Sequence, residues 1–171
     1  CAGILSADGH QWSSTGFATD YMEKSFAGFP RSYPDGMGED ENDAMAYSPA
    51  GFLWDNVLKH GHSVHDYGEF MAPAVRWVQP GHKGNPDFLS CYRTWKGESQ
   101  EVHFASYPMV DSLKGIAPTN YVGWEMAVPD QYRADFILRE LKEFEARGTF
   151  PALTIICLRS EEHTSELQSR L

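Results

Sequence analysis

The sequence predicts an α/β fold, a mostly parallel sheet flanked by helices, on three observations. Segments 49–60 and 131–147 repeat apolar residues at helical spacing between recognisable start and stop signals. The run Ala152-Leu153-Thr154-Ile155-Ile156-Cys157-Leu158 is continuous rather than alternating, as a strand buried on both faces of a parallel sheet is. Helix, short turn and strand follow one another through residue 67, which is α/β grammar.

Residues 2–6 are small and apolar and read as the end of a buried strand or its exit loop. Asp8 is the expected N-cap of a helix running through Trp12, Phe17 and Tyr21, with Gly16 as its weak point. Residues 28–47 hold Gly, Pro and the acidic cluster Glu39-Asp40-Glu41 with Asp43, a solvated loop or a calcium site. Ser48 is expected to cap the next helix, with Pro49 at its first position. Ala50, Leu53, Trp54, Val57 and Leu58 form its stripe, and Gly61 ends it. Ser63 to Tyr67 reads as the following strand. Residues 71–118 show no clean period and are expected to be a long irregular insertion over the sheet or its ligand-facing edge. Asp130 then caps a helix whose core stripe is Ala134, Ile137, Leu138, Leu141 and Phe144, and Gly148 stops it. Trp12, Trp54 and Trp124 are assigned to the core.

Composition narrows the function. A chain of 171 residues with 42% hydrophobic and 13% aromatic residues builds one domain and is not a disordered sequence. The net charge of −10 argues against a nucleic-acid partner, which needs clustered Lys and Arg, and suits divalent cations. No apolar stretch approaches the ~20 residues of a membrane span. Cys1, Cys91 and Cys157 have neither metal-type spacing nor an even-numbered disulfide pattern. Cys1 as a lipid-bearing first residue is disfavoured, because Ile4 and Leu5 follow where a polar tether belongs. The start at Cys1 rather than Met suggests an internal piece of a longer protein. The run Arg159 to Ser169 reads as the translation of a sequencing-library adapter, so 159–171 is expected to be a non-native tail with few contacts to the body.

The chemistry centres on Ser6-Ala7-Asp8-Gly9-His10. A serine just before a helix meets free backbone N–H groups and the positive end of the helix dipole, a fitting place for a nucleophile acting on phosphate. It still needs a base or a metal to activate it. Asp8 reads first as a cap and second as a substrate or metal contact, and His10 as a phosphate-orienting group or a structural hydrogen bond. His60, His62 and His65 straddle a helix end and a strand, so a shared metal is not expected. Glu69, just beyond a strand end, reads as a buried, hydrogen-bonded carboxylate where α/β folds place their sites.

Ser6-x-x-Gly9-His10 resembles the nucleophile motif of the alkaline phosphatase superfamily. That motif is Thr-x-x-Asn-His in phosphodiesterase-like members, Thr-x-Pro-Asn-Arg in phospholipase C-type members and Ser-x-x-Gly-His in cofactor-independent phosphoglycerate mutases. The context S-A-D-G-H-Q-W-S, A-T-D-Y-x-E-K-S, G-F-L-W-D, Y-G-E-F and V-P-D-Q-Y-R-A-D resembles bacterial phosphoesterases of that superfamily, some with an upstream β-propeller. The likeness covers residues 4–70 and 119–158. It implies a partial alkaline-phosphatase-like sheet over residues 1–158, and export to the periplasm or outside the cell. The implied activity is metal-dependent hydrolysis of a small phosphate ester or phospholipid. Ser6 would form a phosphoseryl intermediate; Asp8, Gly9 and His10 would contact substrate.

Gly9 departs from the phosphodiesterase pattern, since it cannot supply the Asn amide used there. Two divalent ions (Zn, Mn, Mg or Ca) are implied. Most of their ligands, an upstream acidic residue and an Asp-His pair beyond Leu158, are expected outside this sequence, which alone should be inactive. The alternatives are a phosphotransferase or mutase of the same superfamily and a non-enzymatic, aromatic-rich extracellular binding module.

Overall fold

The computed structural model describes residues 6–24 and 43–158. The strand end expected at 2–5, the acidic residues 39–42 and the tail 159–171 lie outside the described residues, as do the side chains of Ser6, Ala7 and Asp8.

The chain is mixed α/β, with three two-stranded sheets among the described residues. β1 (Val64–Tyr67) runs parallel to β6 (Leu153–Ile156), in the register Val64 to Leu153 and Tyr67 to Ile156. Of the expected mostly parallel sheet, the described residues show this one parallel pair. β6 is only partly buried along its length, and Ile156 is 46% exposed. Among the described residues β1 is its only hydrogen-bonded neighbour, and the expectation of burial on both faces is not met.

Among the described residues three α-helices precede β1. α1 (Ser6–Thr15) begins at Ser6 rather than after Asp8, so Asp8 sits in its first turn and does not precede it. It ends early, at Gly16 (φ +66°), where the Thr15 hydroxyl donates toward the Gln11 and Phe17 carbonyls. Tyr21 therefore belongs to a separate helix, α2 (Asp20–Lys24), whose Met22 N–H donates to the Thr19 hydroxyl at 3.2 Å. α3 (Leu53–Lys59) starts later than the expected Pro49. Ser48 instead accepts from the Ala50 N–H in the preceding turn, Gly51 (φ +81°) reverses the chain, and Asp55 accepts from the Phe52 N–H at 2.9 Å.

Within residues 71–118 short paired strands and one α-helix interrupt an otherwise irregular run. β2 (Met71–Pro73) pairs antiparallel with β5 (Ser106–Pro108), and β3 (Arg76–Trp77) with β4 (Val102–His103). α4 (Phe88–Trp95), capped by Asp87 through the Ser90 N–H at 2.8 Å, sits within the arm so formed. Strands of two or three residues, β2 and β5 of them ended by proline, are too short to show a period in sequence.

α5 (Asp130–Arg147) closes on Gly148 (φ +64°) as expected, but its buried face is rotated. Arg133, Phe136 and Ile137 are buried, whereas Ala134 is exposed and Leu138 is 54% exposed. Strand alternation divides the core around β1. Val64 joins Phe52, Trp54, Phe70, Val110 and Leu113 on one side; Tyr67 joins Tyr121, Phe136 and Ile137 on the other. Trp54 is fully buried, with its indole N–H on Ser112, while Trp12 and Trp124 are exposed, contrary to expectation.

The reason for the rotation of α5 is Arg133. Its guanidinium is buried and donates to the carbonyls of Gly123, Glu125 and Val128 and to Asp130 at 2.7–3.2 Å, tying down the loop before the helix. Arg133→Lys keeps the charge but cannot reach three diverging carbonyls, so it should lose about 3 kcal/mol of stability. Urea denaturation checks this; a loss below about 0.5 kcal/mol would contradict the role, being no more than an ordinary surface substitution.

Candidate functional site

The site is built at the C-terminal ends of β1 and β6, where parallel α/β pairs present their ligands. Three backbone features hold it there. Asp66 lies on the same face of β1 as Val64 and is fully buried. Gly68 (φ +96°) then turns the chain, and its missing Cβ leaves room for the Tyr121 ring, which an added Cβ would meet at 2.7 Å. Phe70 has φ +51°, a left-handed conformation that a bulky residue rarely takes and that costs about 1–2 kcal/mol. Its ring, packed edge-on against Phe52 and Trp54, holds the turn in place. Glu69 sits between these two positions and is buried at the head of the turn.

Four groups converge on Glu69. His10 Nδ1 is 2.7 Å from its Oε1, and the Ser14 hydroxyl donates to the same oxygen at 3.4 Å. The charge of Glu69 also reaches Asp66 and Cys157. Burial, and then the Glu69 charge, pushes the Asp66 carboxyl up to about 8, against the pull of the Gly68 N–H on its Oδ2 at 3.2 Å. Its Oδ1 has no hydrogen-bond partner among the described residues. Burial pushes the Cys157 thiol up to about 12, the two carboxylates adding to it, so it remains an unreactive thiol. The hydrogen bond to Glu69 raises His10 above its ordinary value, outweighing the opposing effect of burial. The cluster therefore sets a His10 inclined to be protonated against the Glu69 carboxyl, beside an Asp66 that keeps its proton at neutral pH.

Of the sequence-nominated residues, Ser6 is the first residue of α1, Asp8 lies in its first turn, and Gly9 and His10 follow, both half-buried. Only His10 of these is seen to join the cluster; the side chains of Ser6 and Asp8 lie outside the described residues. The three histidines do not converge: His60 and His62 are exposed, and His65 pairs with Glu140 at 2.9 Å on the α5 side. Among the described residues no group of three or more His, Cys, Asp or Glu side chains is arranged to hold a metal. Sequence reasoning missed Asp66, Ser14 as a partner of Glu69, and Cys157. The available signal was two carboxylates flanking a glycine at a strand end, Asp66-Tyr67-Gly68-Glu69.

The protonation states set a pH dependence. Asp66 holds its proton up to about 8 when folded but loses it near 3.9 in an unfolded chain, so its contribution to stability declines across that interval as pH rises. His10 acts in the same direction. Its pairing is fully present below the unfolded histidine value and lost as pH climbs past its raised folded value. Asp66→Asn should flatten the decline between about pH 5 and 8 and leave the variant more stable than the parent at the alkaline end. Urea midpoints across that range check it, and an unchanged slope would contradict a buried, protonated Asp66.

No helix among the described residues is long and apolar enough to cross a membrane. No family model, no curated protein and no solved structure matches the chain.

Proposed function

We propose that the chain carries the nucleophile half of a metal-dependent phosphoric ester hydrolase, with Ser6 attacking phosphorus. The observation that carries this reading is the helical stripe Ser6, His10, Ser14. Ser6 precedes His10, and His10 precedes Ser14, by four positions along α1. His10 and Ser14 both engage Glu69 at the strand end, which supports Ser6 lying on the same side, one turn nearer the helix start. Backbone N–H groups at that start have no intrahelical acceptors and favour a phosphoryl anion. The resemblance of Ser6-x-x-Gly9-His10 to the phosphatase nucleophile motif adds the reaction type.

In this reading Ser6 Oγ gives up its proton and bonds to phosphorus as the bond to the leaving alcohol oxygen breaks, and that oxygen takes up a proton. Water then cleaves the phosphoseryl ester, restoring the hydroxyl and releasing phosphate from a monoester or a phosphomonoester from a diester. Asp8, Gly9 and His10 line the substrate, Gly9 through its backbone alone. The implied divalent ions would lower the barrier by binding phosphoryl oxygens. The described residues do not make a complete site for them, so the roles assigned here rest on the chain's own groups.

The test is turnover of an aryl phosphate ester, monoester or diester, by the product of the full parental reading frame supplied with divalent metal. Ser6→Ala should abolish turnover, and acid-trapped covalent phosphate should vanish with it, while thermal stability stays within a degree or two of the parent. Wild-type rates in Ser6→Ala, with no trapped phosphate in the parent, would overturn the assignment.

A further inference from the structure

We infer that Glu69 is a positioning residue for phosphate: it holds Nδ1 of His10 so that Nε2 donates to the phosphoryl oxygens bound at the start of α1. This rests on the phosphoester reading of Ser6 and adds to it a residue from a different element, 59 positions away in sequence from its partner.

The geometry is asymmetric in the way such a role needs. The carboxylate is the covered end of the pair and the imidazole the open end, with side-chain exposures of 9% and 28%. Nδ1 is occupied by Glu69, and Nε2 has no hydrogen-bond partner among the described residues. An imidazole held through one nitrogen by a carboxylate is fixed in orientation, and its other N–H becomes a directed donor. Ser14, on the same oxygen of Glu69, restrains the carboxylate from rotating away. The strained Phe70 and the Gly68 turn fix the backbone on either side.

The charge arrangement serves an anion as well. Two carboxylates at the end of one strand would repel a phosphate, but Asp66 is the one that keeps its proton. Glu69 is the one that faces His10, whose ring is inclined to be protonated, and Cys157 on the β6 side stays neutral. What a bound phosphate meets is the exposed edge of a cation whose counter-charge is buried behind it.

The experiment follows the imidazole nitrogens of His10 by NMR in this chain while inorganic phosphate is added. In the parent, Nδ1 should carry the proton toward Glu69, and the Nε2 resonance should move on phosphate addition. Glu69→Gln, which keeps an acceptor but removes the charge, should shift the His10 titration downward and weaken phosphate binding about tenfold at neutral pH. His65→Gln, whose ring pairs with Glu140 on the α5 side, should leave both readouts unchanged. An Nε2 resonance in the parent that ignores phosphate would overturn the proposal, and that measurement needs no variant to fold. So would phosphate binding in Glu69→Gln as tight as in the parent. Retained turnover in Ser6→Ala, with the His10 response intact, would instead remove the nucleophile assignment and leave the phosphate-positioning role standing.

Discussion

The His10–Glu69 contact is the interaction on which the arrangement depends, because it joins α1 to the end of β1 across 59 residues of sequence. α1 has little apolar surface of its own to anchor it. Trp12 is exposed, and the residues it buries, Gln11 and Ser14, are polar. A helix without an apolar stripe must be docked by polar contacts, and those are directional. Docking through a charged pair costs the desolvation of Glu69 and is favourable only while His10 can answer that charge. The placement of the first turn of α1, and so of Ser6, is thereby coupled to the protonation of a single ring. A hydrophobic anchor would hold the helix equally well at any pH but would leave no oriented imidazole beside the helix start.

Much of the secondary structure was legible, and for local reasons. The long helix ending at Gly148, the strand after Gly61 and the apolar strand near residue 155 were written in period and punctuation, which tertiary contacts did not override. The misreadings came where a non-local contact decided. Nothing in the spacing of α5 says that Arg133 faces inward and Leu138 outward; that follows from three carbonyls of a loop the helix happens to cover. The start of α3 moved from Pro49 to Leu53 because Asp55 satisfies the Phe52 N–H, a competing cap that the Ser-Pro signal concealed. The arm at 71–118 was invisible because pairs of two-residue and three-residue strands carry no period at all.

The candidate site divides along the same line. Ser6, Gly9 and His10 could be nominated because they form a contiguous motif, and Glu69 because it follows a strand. That His10 meets Glu69 is a fact of packing, set by two segments that sequence places far apart. Asp66 illustrates the limit most clearly. Alternation along β1 puts it on the apolar face with Val64, which in sequence alone reads as an error in the pattern. In the fold, a carboxyl kept neutral by burial and by a neighbouring charge can occupy that face.

The arm also bears on the site, although it contributes no group to the cluster. Tyr121 lies under Gly68, its hydroxyl donates to the Cys157 carbonyl at 2.9 Å, and its own carbonyl accepts from the Ser106 hydroxyl on β5. Gly123 (φ +52°) allows the backbone to pass the Met71 carbonyl on β2, where an added Cβ would stand at 2.6 Å. Arg133 then fixes the Gly123 carbonyl from α5. The turn that presents Glu69 is therefore backed by a layer made of β2, β5 and the loop before α5. Rigidity at Glu69 is inherited from residues that never approach a substrate. A strained Phe70 persists at the edge of this layer because relaxing it would require the whole layer to move.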